Sequence, residues 1–302
     1  MDPAAGEGRL SMDYTIENEQ LRVRVSDFGA QLQSILGADG TEYLWQGDPA
    51  FWGDRAPNIF PYVARLTEGK YLYNGQTYPM KIHGIVKYQF LQAETVSKDS
   101  VTFLLQPDEQ ILKQYPFDFR YRLTYSLHGN ELRMSHAIEN CGSSRMYFGL
   151  GGHIGFNVPL GKGLKFDDYL LEFDSPCKPD RVGFTPDVFL NGQSERYPLK
   201  DDRQIPLRHS LFDDDAIVLK NAARKVTLRS ECASHGVTVE YPDYPVIAFW
   251  HAVRREAPYV CIEPWSSLPS RSGVMEDISQ QSDLISLEPE KTYRNNWSVH
   301  VF

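Results

Sequence analysis

The sequence predicts an all-β protein, a large antiparallel β-sandwich. Three observations carry this. Apolar and polar residues alternate with period two along much of the chain, turn signals separate those runs at short intervals, and no segment shows a sustained helical stripe with caps. Many short strands without intervening helices pack as a sandwich or barrel rather than around a parallel sheet.

Taken in order, Leu21, Val23 and Val25 alternate with Arg22, Arg24 and Ser26. The same pattern predicts strands over Val101–Gln106, Tyr121–Leu127, Leu132–Glu139, Tyr169–Phe173, Ala216–Lys220, Val226–Arg229, Val237–Tyr241, Val246–Trp250 and Tyr259–Ile262, with Asn296–Phe302 last. Turns are expected at Asn74-Gly75, His128-Gly129-Asn130, Cys141-Gly142-Ser143, Asn191-Gly192 and Tyr241-Pro242-Asp243. Residues Trp45–His83 and Asp174–Ser210 read as long irregular regions, of the kind that serve a site or a lid. The 22 glycines and 19 prolines are spread out rather than gathered in a linker, so residues 12–302 are expected to form one domain. Residues 1–11, small, polar and glycine-rich, are expected to be a disordered extension.

The chain of 302 residues, 41% hydrophobic and 13% aromatic, is long enough to bury a large core. Its formal charge of −9 argues against nucleic acid or an anionic membrane as the main partner, since both want a cationic face. No apolar run approaches the roughly 20 residues that span a bilayer, and no leader pattern opens the sequence, so a cytoplasmic location is expected. Cys141, Cys177, Cys232 and Cys261 are scattered, without a C-x-x-C pair. That spacing suits free thiols in a reducing compartment and not a zinc site.

Three patterns combine titratable residues with unusual surroundings. The first runs from Phe60-Pro61 to Arg65 and on to His83-Gly84-Ile85. The second is Gly149-Leu150-Gly151-Gly152-His153-Ile154-Gly155-Phe156-Asn157, one histidine among four glycines in a strand-like run. Glycine inside a strand marks a sharp bend or a close approach, and here it is expected to let a flat ligand lie against the strand. The third is Val260-Cys261-Ile262-Glu263-Pro264-Trp265, where burial would raise the glutamate's pKa and the proline is expected to end the strand. Each group alone has an ordinary structural alternative, such as a Glu263–Arg65 ion pair or a backbone-bonded histidine. Asp213-Asp214-Asp215 lacks the spacing of a calcium loop, Gly149-x-Gly151 lacks the third glycine of a dinucleotide fingerprint, and no G-x-S-x-G elbow occurs.

In ordered sequence, Pro57-Asn58-Ile59-Phe60-Pro61 to Arg65, Gly69-x-Tyr71, His83-Gly84, Tyr115-Pro116-Phe117-x-Phe119, Gly152-His153-x-x-Phe156-Asn157, Leu211-Phe212-x-x-Asp215-Ala216 and Cys261-Ile262-Glu263-Pro264-Trp265 resemble the aldose 1-epimerase (galactose mutarotase-like) family. Within it the chain is most similar to the mutarotase-like subgroup found with bacterial lactose operons. The resemblance implies a galactose mutarotase-like supersandwich that binds a free sugar without a cofactor. It implies His153 as general acid and Glu263 as general base, with Arg65 and His83 holding the sugar and Asp215, or else Asp213, bonding its hydroxyls. Trp250 and Trp265 are candidates for packing against the sugar's apolar face. Three positions depart from the family pattern. Ile154 replaces a proline, Ala64 replaces a glycine, and Ile85 replaces an aromatic, which places the pocket's specificity at Ile154 and Ile85.

Anomer interconversion opens a hemiacetal: a base takes the C1 hydroxyl proton while an acid protonates the ring oxygen. The two groups are expected to approach opposite sides of one ring, from segments far apart in sequence. The competing readings are a hexose-phosphate 1-epimerase using Arg181, Arg254, Arg255 or Arg271, a glycoside hydrolase using Glu263 and Asp215, and a non-catalytic sugar-binding protein.

Overall fold

The computed structural model describes residues 9–302. Two large antiparallel sheets dominate it. One has nine strands, in the order Gln204–Pro206, Leu170–Phe173, Lys225–Arg229, Val237–Glu240, Thr292–Val301, Glu131–Asn140, Phe119–His128, Ser100–Leu105 and Gln92–Val96. The other, which carries the candidate site, has eight. Its order is Leu190–Arg196, Asp180–Phe184, Ile217–Lys220, Val246–Trp250, Tyr259–Trp265, Gly151–Gly152 and Asn58–Ile59, with Ile154–Asn157 also paired to Tyr259–Trp265. A three-stranded sheet (Asp13–Glu17, Leu21–Ser26, Leu32–Gly37) and two hairpin-sized sheets complete it.

Period two builds the core directly. Along Phe119–His128 the buried residues are Phe119, Tyr121, Leu123, Tyr125 and Leu127, and the neighbouring strand buries Leu132, Met134, His136 and Ile138 on the same face. These pack with Ile217, Leu219, Phe249 and Ile262 of the site sheet into one apolar layer. Asn58 and His136, polar side chains inside it, are paired, as burial demands. Asn58 donates to the carbonyls of Gly29 and Ala30 at 2.9 Å each and lies 3.1 Å from the Tyr125 hydroxyl, tying the edge of the site sheet to the nine-stranded sheet. Trp297 donates its indole N–H to His136 Nε2 at 3.4 Å, and the other ring nitrogen of His136 meets the Tyr121 hydroxyl at 3.2 Å. Burial holds the pKa of His136 down at about 3, so this bridge is neutral.

The strand containing the four glycines keeps one register along Tyr259–Trp265: Gly151 stands opposite Trp265 and Ile154 opposite Ile262, so His153 stands directly opposite Glu263. On its other side Gly151–Gly152 pairs with Asn58–Ile59, and the same register continues as the His153 N–H donates to Pro57 O at 3.1 Å and the Gly155 N–H to Arg55 O at 2.9 Å. Pro264 stands opposite Gly152 in this ladder. Ser266, two residues on, donates to Leu150 O, so by strand period the N–H that Pro264 lacks is one ladder bond toward Gly152. The proline therefore does not end its strand, which runs through it to Trp265 and pairs Pro264 with Ile247.

Other expectations change as well. Asn191-Gly192 is not a turn but lies inside Leu190–Arg196, and the region 174–210 contains three strands rather than an irregular loop. Leu190–Arg196 is polar and exposed at the sheet edge, and the other two are short and mostly half-buried, so they carry no alternation to read. A short helix, Glu109–Gln114, is capped by Asp108, whose side chain accepts from Gln110 and Ile111. At six residues it is too short to show a periodic stripe. Residues 1–8 of the expected N-terminal extension lie outside the described residues. Arg9, by contrast, pairs with buried Asp27 at 2.8 Å.

The glycines around His153 make room for the protein's own side chains. A Cβ on Gly152 would lie 2.3 Å from the Trp297 ring, one on Gly149 2.4 Å from Ser267 Oγ, and one on Gly151 2.8 Å from Pro264 O. None of them faces the cavity described below, so the expectation that they admit a flat ligand is corrected. Gly152→Ala is expected to destabilise the fold by about 1–3 kcal/mol through overpacking. Gly53→Ala, whose new Cβ meets open space, should shift stability by less than about 0.5 kcal/mol. Urea unfolding of the two variants checks the contrast.

Candidate active site

A cavity of about 960 Å³ opens on the site sheet, and His153, Glu263, Arg65, His83, Asp215, Trp250 and Trp265 all line it. Its centre is a contact between His153 Nε2 and Glu263 Oε1 at 3.3 Å. Glu263 stands on a strand buried at every position and is itself 1% exposed. Burial, and next the charge of Asp215, push its carboxyl well above the ordinary carboxylate range. The Trp265 indole N–H acts in the opposite direction, though it falls short of hydrogen-bond geometry. For His153, burial and then the Lys87 charge hold the pKa down at about 3. Both groups thus tend to their neutral forms. They face each other from adjacent strands, and no Glu263–Arg65 ion pair forms among the described residues.

The remaining residues are positioned by strained or capped backbone. His83 has φ +64 and its Nδ1 accepts from the Ala64 N–H at 3.3 Å, which leaves the hydrogen on Nε2. Burial, with His153 and the Lys87 and Arg65 charges, keeps it neutral, so it presents a donor. Gly84 follows at φ +82, and a Cβ there would sit 2.3 Å from Phe60 O, so only glycine fits. Ala64 holds φ +52, a left-handed geometry that explains why glycine is usual at its place. Asp215, at φ +83 and half-buried, accepts from the Ala216 N–H at 2.7 Å, and its charge is felt by Glu263. Asp213 lines the cavity but is exposed. Arg65 is exposed at the rim, with its carbonyl accepting from Ser270 at 3.0 Å. Trp265 is mostly core, packed with Ile59, Val63, Val182 and Val218, and Trp250 stands edge-on to His153 at 5.6 Å.

Ile154 and Ile85 do not line the cavity. Both are buried in the main apolar layer, 2% and 1% exposed, so the expectation that they set specificity is corrected. The sequence reading missed Trp52, whose ring lies 4.8 Å from that of His153 at 30°, and the Lys87–Asp54 pair at 2.9 Å. Trp52 falls in the tryptophan-rich region already singled out. Lys87 sits in an undistinguished turn and carried no signal. Cys261 was also missed as a neighbour: ligand atoms of His153, Cys261 and Glu263 lie within 4.8 Å of one another, the set among the described residues that could hold a metal ion. Burial pushes the Cys261 thiol well up, so it is a neutral thiol there.

Residues 12–295 match the sequence model of the family described as aldose 1-epimerase. The chain belongs to the aldose 1-epimerase family. Protein LacX of Lactococcus lactis subsp. lactis is 33% identical over 93% of this chain and 97% of its own, in both plasmid and chromosomal forms, consistent with the subgroup found with lactose operons. Among solved structures, a galactose mutarotase related enzyme from Lactobacillus acidophilus superposes with a TM-score of 0.92, at 34% identity over 96% of this chain and 97% of its own. A galactose mutarotase-like protein from Lactobacillus casei gives 0.90, at 31% identity over 96% of this chain and all of its own (100%). The family and these structures support an epimerase and a sugar substrate.

The opposed shifts of the central pair have opposite consequences for stability. Glu263 has a folded pKa above its ordinary 4.5, so its contribution is present below that value and is lost as pH rises through the folded pKa. His153, depressed to about 3, contributes fully above its ordinary 6.5, and that contribution is lost as pH falls toward 3. Glu263→Gln cannot ionise. It is expected to be more stable than the parent at pH 8, with a gap that shrinks toward pH 5, as read by urea unfolding at both values.

Proposed function

We propose that this protein is a cofactor-independent aldose 1-epimerase that interconverts the α and β anomers of a free aldohexose by general acid–base catalysis. The single observation that carries this is the 3.3 Å contact between His153 Nε2 and Glu263 Oε1 at the centre of the cavity. The C1 hydroxyl and the ring oxygen are bonded to the same carbon, so an acid and a base that serve both atoms must stand close together. Donor groups on opposite faces of the ring would serve them less well.

The buried pair has one proton to move. Burial favours protonated Glu263 and neutral His153. When a sugar brings hydroxyls into the apolar surroundings, the charged form becomes less costly and the proton crosses the short contact to His153. Glu263 then takes the C1 hydroxyl proton while His153 protonates the ring oxygen. The C1–O bond of the ring breaks, leaving an open aldehyde. After rotation about C1–C2 the ring closes by the reverse transfers. His83 Nε2–H and Arg65 donate to sugar hydroxyls, and Asp215 accepts from them. The four unpaired cysteines fit a reducing, cytoplasmic setting.

A phosphorylated substrate is less favoured. Arg181 and Arg254 line the cavity, but with Arg65 and Lys87 they face Asp54, Glu195, Asp213, Asp214 and Asp215. Arg271 is committed to Glu276 at 2.8 Å. Hydrolysis would use a second carboxyl about 5–9.5 Å from Glu263, whereas the group in contact with Glu263 is an imidazole, which favours an acid–base pair at one centre.

Freshly dissolved α-glucose and α-galactose are expected to equilibrate faster with the protein than in buffer, by polarimetry or NMR. Glu263→Gln or His153→Asn should each lower the rate by roughly 10²–10⁴-fold. No acceleration for any aldose would sink the epimerase reading, and release of reducing sugar from a glycoside would favour a hydrolase.

A further inference from the structure

Cys261 is a fully buried thiol that the acid–base mechanism does not use. It lies two residues before Glu263 on the same strand, so both side chains leave the same face of the sheet. His153 stands opposite Glu263, and Gly155, which has no side chain, stands opposite Cys261. Trp45, Tyr259, Ala252 and Ala257 pack with the thiol, and Trp52 and Trp250 lie against that cluster. In consequence a nitrogen, a sulfur and a carboxylate oxygen, from His153, Cys261 and Glu263, lie within 4.8 Å of one another.

Those positions suit a tetrahedral ion. Zinc takes histidine nitrogen and carboxylate oxygen at about 2.0–2.2 Å, and two such ligands at the tetrahedral angle stand about 3.4 Å apart. His153 Nε2 and Glu263 Oε1 are 3.3 Å apart. A thiolate about 2.3 Å from the ion stands about 3.6 Å from its fellow ligands, so the Cys261 sulfur has at most about 1.2 Å to close. His153 and Glu263 line the cavity whereas Cys261 does not, which leaves a fourth position on the cavity side.

The charges balance as well. A divalent ion that displaces the thiol proton of Cys261 and the carboxyl proton of Glu263 releases both protons to solvent. It then meets two anions and a neutral imidazole, so the buried site carries no net charge. The donor set also selects the ion. Sulfur and imidazole favour zinc, cobalt or cadmium, whereas magnesium and calcium want about six or more oxygens and find one carboxylate. His153 Nδ1 is buried without a hydrogen-bond partner among the described residues. Metal-bound histidines usually have such a partner, and Lys87 adds a positive charge that His153 feels. The cluster therefore lacks the outer shell of a resident metal centre and suits an ion that comes and goes.

We propose that His153, Cys261 and Glu263 form an inhibitory site for a thiophilic divalent ion, with zinc as the expected one. The ion ties up acid and base together: with the Nε2 lone pair and the carboxylate both on the metal, neither group moves a proton. Bound ion and bound sugar exclude each other. The loss of catalysis rests on the epimerase reading above; the binding does not.

The test titrates the reduced full-length protein with Co²⁺, whose thiolate charge-transfer and tetrahedral d–d absorption report the ligands, and then follows mutarotation of α-glucose and α-galactose in Zn²⁺. One Co²⁺ per chain is expected, with a thiolate band that is lost in Cys261→Ser and Cys261→Ala and kept in Cys232→Ser, which removes an exposed thiol. Zn²⁺ should be displaced by EDTA with recovery of the rate, Mg²⁺ should have no effect, and more sugar should raise the Zn²⁺ needed. Changes outside a metal's direct ligands typically cost roughly 10–100-fold in affinity. Loss of the sulfur itself should therefore raise the Zn²⁺ concentration for half-inhibition by at least about tenfold, each variant being referred to its own ion-free rate. A thiolate band or Zn²⁺ inhibition unchanged in both Cys261 variants, equal inhibition by Mg²⁺, or no Co²⁺ binding overturns the site. If a cysteine variant fails to fold, or if no aldose is accelerated and the epimerase reading fails separately, the Co²⁺ spectra of His153→Asn and Glu263→Gln decide. Loss of the band in both sustains the site, and a band unchanged in either overturns it.

Discussion

The direct opposition of His153 and Glu263 on neighbouring strands is the constraint on which the rest of the site depends. A residue inside an antiparallel ladder has its backbone committed to its neighbours and its side chain fixed to one face. His153 bonds its N–H to Pro57 on one side and stands opposite Glu263 on the other, so the two side chains meet on one face of the sheet. Beside the pair, Pro264 removes only its own donor, and its strand runs on to Trp265.

Around that pair the protein arranges desolvation rather than charge. His153 and Glu263 are walled by Trp52, Trp250 and Trp265, and both are driven toward neutrality by burial. A pair in this state keeps a proton available without the cost of two buried ions, which would be several kcal/mol per ion. Nearby charges then bias the pair: Lys87, held by Asp54, presses on the histidine, and Asp215 presses on the glutamate. Both push in the direction that burial already sets.

Much of this was legible in the sequence, for a physical reason. Strands buried on one face, such as Phe119–His128 and Glu131–Asn140, announce themselves by alternation. The strands around 180–196 lie at the margin of the sheet, one half-buried and the edge one exposed, and carry no alternation, so they read as loop. All seven candidate residues converge on one cavity, since each sits in a short motif with a glycine, proline or aromatic neighbour. What the sequence could not convey was direction. Whether a glycine makes room for a ligand or for Trp297, and whether Ile154 faces a pocket or the core, depends on which side of the sheet each residue presents. Alternation tells which residues share a face, but not which face meets the cavity.

The wedge of Trp297 against Gly152 also has a temporal meaning. Every residue that lines the cavity lies between Trp52 and Pro269, yet the ring that backs the catalytic strand belongs to Thr292–Val301, at the centre of the opposite sheet. During synthesis the cavity-lining residues are therefore complete before the strand whose Trp297 ring packs on Gly152 has emerged.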